Sequence, residues 1–183
     1  KIYFLTNGAK QIVYLVGWQH EGHDSKYPDL SVVNPLCGGK EKLIRLIKKA
    51  KKYNAIVSLH VNFDDAYQDS PAWDPKIICI DREGDLQKWE IFHDEQAYHI
   101  SHYKDCKKGS AFRRIDGLLK MLPIEQTIHL DAFRYTNESW DPDGHKDMLT
   151  EFLLGFCKIV DYFKRYGIDV TTEGYCPGLE RSG

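Results

Sequence analysis

The chain has 183 residues, of which 42% are hydrophobic, so it is long and apolar enough to bury a sizeable core. Its net charge of -2 at pH 7 is close to neutral and gives no electrostatic case for nucleic-acid binding. The five cysteines are an odd number and form no CxxC pair, which argues against both a disulfide framework and a structural zinc site. We find no signal peptide and no apolar run of the roughly 18 residues that a membrane span needs.

The first half of the chain contains one strand-helix-strand unit. Gln11 to Gly17 is predicted to be a strand, and a loop rich in Gly, Pro, Asp and His follows it from Trp18 to Gly39. Lys40 to Tyr53 has the apolar spacing of an amphipathic helix, and Ala55 to Val61 is predicted to be a second, buried strand. A long loop insertion then covers residues 63–110.

The second half repeats the same alternation. Ala111 to Leu122 is predicted to be a helix, and Gln126 to Asp131 is a third strand. Asn137 to Gly144 is interpreted as a polar turn. Lys146 to Tyr166 is a long amphipathic helix closed by a glycine, and Ile168 to Glu173 is a fourth strand. Within the insertion, two further β-like patches lie around Ile77–Ile80 and Trp89–Phe92.

Strands that alternate with helices indicate an α/β protein with a parallel sheet and right-handed crossovers. A closed (β/α)8 barrel takes roughly 250 residues, so about four parallel βα units predict a part of a TIM-type barrel. Residues 1–183 are accordingly interpreted as one partial barrel domain. The alternative is an open doubly wound sheet, although no strand is followed by the glycine-rich phosphate loop that such folds often carry.

Two acids end neighbouring predicted strands, Asp131 the third and Glu173 the fourth. Because the carboxyl ends of parallel strands lie at one face, both side chains are expected at the same mouth. A pair of carboxylates at such a mouth is what glycoside hydrolysis uses. The structural alternative is that each acid only caps a turn or pairs with the next helix.

The loops after the first two strands supply candidate sugar-binding residues. Trp18 could stack on a sugar ring, and His23 and Asp24 could bind hydroxyl groups. His60 and Asn62 follow the second strand in the same way, although His60 could instead be a satisfied core histidine.

Metal binding is not favoured by the sequence. His20, Glu21 and His23 lie on a loop that contains glycine and do not match HExxH, in which both histidines share a helix face. The acidic segment from Asn137 to Gly144 lacks the glycine and the terminal glutamate of a calcium-binding EF-hand loop. We therefore predict no metal and no cofactor.

Several segments resemble a known family, the endo-α-N-acetylgalactosaminidases of glycoside hydrolase family 101. The most specific is the run from Val16 to Ser25, followed by Tyr27-Pro28-Asp29. Residues 60–67 are similar to the next strand end of that family, and residues 94–100 resemble part of its long loop. The resemblance extends over nearly the whole chain.

This resemblance implies a catalytic barrel related to that of the α-amylases, with further domains in the parent chain. It implies that Asp131 is the nucleophile, that Glu173 is the acid/base, and that Trp89 covers the bound sugar. The implied substrate is an O-glycosylated glycoprotein or oligosaccharide. The family releases galactosyl-β-1,3-N-acetylgalactosamine from Ser or Thr of mucin-type glycoproteins with retention of configuration. An extracellular or cell-surface location is implied as well.

Other functions stay open at the level of the sequence. Ile91 and Phe92 depart from the tryptophan-rich pattern expected beside Trp89, so a related α-glycosidase with a different sugar specificity is one alternative. A non-catalytic carbohydrate-binding barrel is a second. A metal-dependent hydrolase or deacetylase that uses His20, His23 and an acid is a third.

Overall fold

A computed structural model of the chain describes residues 1–133, 140 and 149–173. Arg134, Cys176 and most of the predicted turn at residues 137–144 lie outside the described residues, as does the predicted helix start at Lys146. The described helices and strands are, in chain order, α1 (Ile2–Leu5), β1 (Gln11–Leu15), α2 (Gly39–Ala50), β2 (Ala55–Asn62), β3 (Asp65–Tyr67), β4 (Lys88–Phe92), β5 (Glu95–His99), α3 (His102–Lys108), α4 (Ser110–Met121), β6 (Gln126–Asp131), α5 (Leu149–Lys164) and β7 (Ile168–Thr172).

The main sheet consists of four parallel strands in the order β1-β2-β6-β7. Helix α2 connects β1 to β2, helices α3 and α4 precede β6, and α5 connects β6 to β7. The spatial order follows the chain order, so the sheet lacks the reversal at which a doubly wound fold changes direction. This arrangement confirms the prediction of an α/β fold that forms part of a TIM-type barrel.

The two faces of this sheet differ in polarity because side chains alternate along each strand. Leu59, Val61, Ile128 and Leu130 are completely buried in the core that the helices cover. The opposite face carries polar groups, among them Tyr14, whose hydroxyl lies 2.6 Å from the Thr127 hydroxyl. This polar face leads up to the strand ends where the candidate site lies.

Helix α3 was missed by the sequence analysis, which treated residues 63–110 as a loop insertion with β-like patches. The side chain of Ser101 caps its N-terminus, and Gly109 ends it with a φ of 75°. The helix packs closely on α5 at Gly155, where an added Cβ would lie 2.5 Å from the carbonyl carbon of His102. Gly155 therefore permits a contact that a larger residue would prevent.

A second, antiparallel sheet forms within the insertion in the order β3-β5-β4. The β4–β5 hairpin turns at His93 and Asp94, both with positive φ, as a tight two-residue turn requires. The predicted β-like patch at Trp89–Phe92 lies in β4. The patch at Ile77–Ile80 is not a strand: Pro75–Ile77 is a 3₁₀ turn, and Ile78 and Ile80 make only isolated bridges. Ile77 and Ile78 are buried in a small separate core instead.

Candidate active site

A cavity of about 320 Å³ opens at the carboxyl ends of β2 and β6. The antiparallel sheet contributes to its wall through β4 and β5. Six of the eight predicted site residues line this cavity: His23, Asp24, Asn62, Trp89, Asp131 and Glu173. The structure therefore brings together residues that are separated by up to 150 positions in the chain.

Asp131 is the last residue of β6 and lies opposite Asn62 in the strand register. Its side chain is 14% exposed, and its Oδ1 lies 3.5 Å from Nε2 of His60. Ala132 follows with a φ of +50°, a conformation that costs an L-residue roughly 1–2 kcal/mol. Such backbone strain is concentrated at functional sites, and here it turns the chain just beyond the acid.

Glu173 follows β7 directly. Because Thr172 pairs with Leu130, Glu173 continues the strand beside Asp131. Its side chain is exposed and lines the same cavity. The two acids thus reach one site from adjacent strands, as the sequence predicted from their positions, while their catalytic roles remain predictions.

His129 is a site residue that the sequence analysis missed. Its ring stacks on that of His60 with centroids 5.0 Å apart, and the ring of His23 lies 5.9 Å from that of His60. Burial lowers the pKa of His129, and the neighbouring His60 lowers it further. The available signal was its position two residues before Asp131, which puts both side chains on the same face of β6.

His23 and Asp24 form a pair at the rim of the cavity. His23 Nδ1 lies 2.9 Å from Asp24 Oδ2, and the His23 side chain is 46% exposed. Asp24 is buried, which raises the pKa of its carboxyl group, while the charges of His23 and His60 act in the opposite direction. Among the described residues, its Oδ1 is a buried oxygen with no hydrogen-bond partner.

The side chain of Asn62 mainly stabilises the turn that leads into β3. Its Oδ1 accepts hydrogen bonds from the backbone N–H groups of Asp64 and Asp65, at 2.7 and 2.9 Å. Its Nδ2 donates to Asp65 Oδ2 at 2.7 Å. Three of the bonds that this amide can make are therefore taken, and its contribution to a ligand is limited to one remaining N–H.

Asp64 and Asp65 also line the cavity but were not predicted as site residues. Asp64 Oδ1 lies 2.6 Å from Nε2 of His102, and both side chains are almost completely buried. Burial, followed by the charge of Asp64, raises the pKa of Asp65 to about 8. Asp65 therefore holds its proton more tightly than an ordinary aspartate does, a property that no local sequence pattern reveals.

Trp18 and His60 do not line the cavity. The Trp18 side chain is 3% exposed and belongs to the core, where its indole N–H donates to the His60 carbonyl at 2.9 Å. This placement corrects the prediction that Trp18 stacks on a sugar, because its ring faces are covered by protein. His60 lies directly behind the cavity wall, between His129 and Asp131.

Trp89, on β4, is 41% exposed and lines the cavity. Its ring lies 4.5 Å from that of His99, and the Gln96 side chain donates to its carbonyl oxygen at 2.8 Å. An exposed indole that is held on one side presents a flat apolar face, to which the apolar face of a sugar ring can bind.

The metal set considered from the sequence is not assembled. His20 Nε2 bonds to Asp29 at 3.0 Å, Glu21 accepts a hydrogen bond from Ser25 at 2.5 Å, and His23 pairs with Asp24. Within the described part of the chain, two other groups have donor atoms within 4.8 Å of one another. These are His23, His60 and Asp131, and His60, His129 and Glu173.

Two strand-end carboxylates and an exposed tryptophan at one cavity of a partial TIM-type barrel form the kind of site that glycoside hydrolases use. A family model described as endo-alpha-N-acetylgalactosaminidase, glycoside hydrolase family 101, matches residues 1–169. The chain therefore belongs to the endo-alpha-N-acetylgalactosaminidase family.

One relative in sequence has a matching name, and two solved structures share the fold. A Renibacterium salmoninarum protein, named as a proposed endo-alpha-N-acetylgalactosaminidase, is 26% identical over 114 residues, or 62% of this chain and 7% of that protein. The alpha-N-acetylgalactosaminidase NagBb from Bifidobacterium bifidum, in complex with GalNAc, has the same fold with a TM-score of 0.81 at 17% identity, covering 94% of this chain and 28% of that one. The GH36 alpha-galactosidase AgaA from Geobacillus stearothermophilus has a TM-score of 0.68 at 17% identity. The match covers 94% of this chain and 24% of that one. The chain thus spans less than a third of each relative.

None of the helices that the structure describes is long and apolar enough to cross a bilayer.

Proposed function

We propose that the protein containing this chain is a retaining glycoside hydrolase that removes α-linked, N-acetylgalactosamine-containing O-glycans from Ser or Thr of mucin-type glycoproteins. The observation that carries this proposal is the presence of Asp131 and Glu173, from adjacent strands, in the wall of one cavity. Membership of the endo-alpha-N-acetylgalactosaminidase family supports the same substrate class. Because mucin-type glycoproteins lie outside cells, we also propose an extracellular or cell-surface location.

In the proposed mechanism Asp131 attacks the anomeric carbon and forms a covalent glycosyl-enzyme intermediate. Retaining enzymes hold their two carboxyl groups about 5–5.5 Å apart, which adjacent strand ends can provide. His60, whose Nε2 lies 3.5 Å from Asp131 Oδ1, can orient the nucleophile. Burial to 14% exposure also restricts the carboxylate to few conformations.

Glu173 is proposed to protonate the glycosidic oxygen in the first step and to deprotonate water in the second. Its side chain is exposed, so the leaving group of a bound glycan can approach it from solvent. This suits an aglycone as large as a glycoprotein, because the protein part of the substrate would stay outside the cavity.

Trp89 and Asp24 are proposed to hold the sugar. Trp89 offers an apolar face, and rotation of the Asp24 carboxylate would bring its unpaired, buried Oδ1 within reach of a hydroxyl group. A neighbouring cavity of about 530 Å³ shares His23, Asp24 and Phe92 with the first, so the two cavities are adjacent. Two adjacent cavities offer room for more than one sugar ring.

The test uses the intact natural protein that contains this chain. We would measure release of p-nitrophenol from the α-glycosides of galactosyl-β-1,3-N-acetylgalactosamine, N-acetylgalactosamine and galactose, with Asp131→Ala as the control. Release from the disaccharide alone, with the α-anomer formed first in the NMR spectrum, supports the full proposal. Release from a monosaccharide instead would support the proposed catalytic pair but would assign a different sugar specificity. Binding of the disaccharide without release contradicts the proposal and identifies a carbohydrate-binding barrel.

A further inference from the structure

Two histidines and Glu173, the proposed acid/base, have their potential donor atoms close together inside the barrel segment. His60 and His129 are paired in the register of β2 and β6, so their side chains lie on the same, interior face. The potential donor atoms of His60, His129 and Glu173 all lie within 4.8 Å of one another. Two imidazoles from rigid strands and one carboxylate form a set of ligands rather than an acidic surface cluster.

The orientation of His129 is fixed by a neighbour in the way that metal-binding histidines usually are. Its Nδ1 lies 2.9 Å from Thr171 Oγ1, and the Thr171 hydroxyl donates to the Ile128 carbonyl at 3.4 Å. Because the proton of this hydroxyl is used in that bond, Nδ1 carries the hydrogen and donates it to Thr171. Nε2 is then the nitrogen with a lone pair to offer.

The chemistry of these donors selects the ion. Imidazole nitrogen together with carboxylate oxygen suits Zn²⁺ and similar transition-metal ions, whereas Ca²⁺ and Mg²⁺ prefer oxygen ligands. Tetrahedral Zn²⁺ with bonds of about 2.0–2.1 Å needs donors roughly 3.4 Å apart. Because every pair of donor atoms lies within 4.8 Å, no pair has to approach by more than about 1.4 Å. The exposed Glu173 side chain can adjust its distance to the two histidines.

We propose that His60, His129 and Glu173 bind Zn²⁺, or a dication of the same class, and that occupation of this site blocks hydrolysis. The blocking follows from the proposed function: a Glu173 carboxylate that is bound to a metal ion can neither donate nor accept the proton that each step requires. The ion would also lie near Asp131, whose Oδ1 is 3.5 Å from His60, and would reduce its nucleophilicity. The site is therefore an inhibitory one, which regulates the same carboxylate pair.

Binding is measured separately from activity, so the two parts of the proposal can fail independently. We would titrate the intact natural protein with Zn²⁺ by calorimetry, record the visible absorption of bound Co²⁺, and repeat the titration with Ca²⁺. The test variants are His129→Ala and Glu173→Gln, the second of which alters only an exposed side chain. The matched control is His93→Ala, which removes an exposed histidine outside this group.

We expect Zn²⁺ to bind and its affinity to fall at least tenfold in both test variants, while the control is unchanged. Hydrolysis should stop when Zn²⁺ is added and return when EDTA is added. Three results would overturn the proposal: no Zn²⁺ binding, equal binding in Glu173→Gln, or Ca²⁺ binding as tight as that of Zn²⁺. Full activity of the Zn²⁺-bound protein would overturn the inhibitory role. A protein that binds Zn²⁺ through these groups but hydrolyses no glycoside would instead contradict the proposed function.

Discussion

The candidate site is built from two regions that differ in how firmly they hold their side chains. The parallel sheet provides Asp131 from a strand with core residues on either side, including the completely buried Ile128 and Leu130. The antiparallel sheet provides Trp89 from β4, most of which is exposed, next to a register shift between Lys88 and Ile91. Such irregularities commonly redirect side chains beside active sites. We infer that the first region determines the chemistry and that the second determines how the sugar is held.

Replacement of Asp131 by Ala is the strongest test of whether the parallel sheet determines the chemistry. If the parallel sheet supplies the nucleophile, kcat should fall on the order of 10⁴-fold or more, as when catalytic residues of other enzymes are removed. The folded state should be retained, because the carboxylate lies at a strand end and not in the apolar core. The measurement is kcat on the aryl disaccharide, with the circular dichroism spectrum as a check of folding.

The control for this prediction is Asp169→Asn, which changes an exposed acid on β7 away from the cavity wall. It should leave kcat unchanged. If instead Asp131→Asn retains most of the wild-type activity, the nucleophile lies elsewhere and the proposed role of the parallel sheet is wrong.

Replacing Glu173 by Gln should separate the two catalytic roles. Loss of a general acid typically costs about 10²–10⁴-fold, and we expect kcat/KM on a glycopeptide to fall by that amount. With a p-nitrophenyl glycoside the loss in kcat/KM should be much smaller, because p-nitrophenolate leaves without protonation. An equal loss on both substrates would show that Glu173 does not protonate the leaving group.

The stability of the segment that joins the two sheets should depend on pH through Asp65, the first residue of β3. In the folded protein its pKa is about 8, against 3.8 for an ordinary aspartate, because it is buried beside Asp64. Between these values unfolding releases a proton, so this group lowers the free energy of unfolding by about 1.4 kcal/mol per pH unit as the pH rises. Asp65→Asn keeps an oxygen that can accept the hydrogen bond from Asn62, and it removes this dependence.

Hydrogen exchange of β3 peptides, compared between wild type and Asp65→Asn at equal pH, measures the effect of Asp65 in the intact protein. The ratio of the protection factors, Asp65→Asn divided by wild type, should increase about tenfold for each pH unit from pH 5 to pH 7. A ratio that does not change with pH would mean that Asp65 is already ionised in the folded state, and the pKa of about 8 would then be wrong.

These two regions also differ in how well the sequence predicts them. The predicted strand from Gln126 to Asp131 agrees with β6, because its apolar residues alternate and the acid marks its end. Asp131 and Glu173 could be predicted to share a site because parallel strands present their carboxyl ends together. The position of each acid therefore follows from local patterns and a general rule of topology.

Helix α3 could not be predicted in this way because its buried residues include polar ones. His102 pairs with Asp64, and Asp105 forms a bidentate ion pair with Arg114. These partners lie 38 and 9 positions away, so no apolar period marks the helix. Trp18 illustrates the same limit, since the identity of a loop tryptophan does not indicate whether its ring faces a ligand or the core.

The smallest predicted effect tests whether the antiparallel sheet only holds the sugar. Trp89→Ala should raise KM by about tenfold, close to the 0.5–1.5 kcal/mol that a stacked aromatic contributes beyond its buried area, and leave kcat nearly unchanged. Ile91→Ala is the matched control, because Ile91 is 67% exposed on the same strand but does not line the cavity. Comparing kcat and KM of both variants on the aryl disaccharide distinguishes the outcomes. A large fall in kcat for Trp89→Ala would mean that this sheet helps to position the reacting bond, and the division between chemistry and sugar binding would no longer hold.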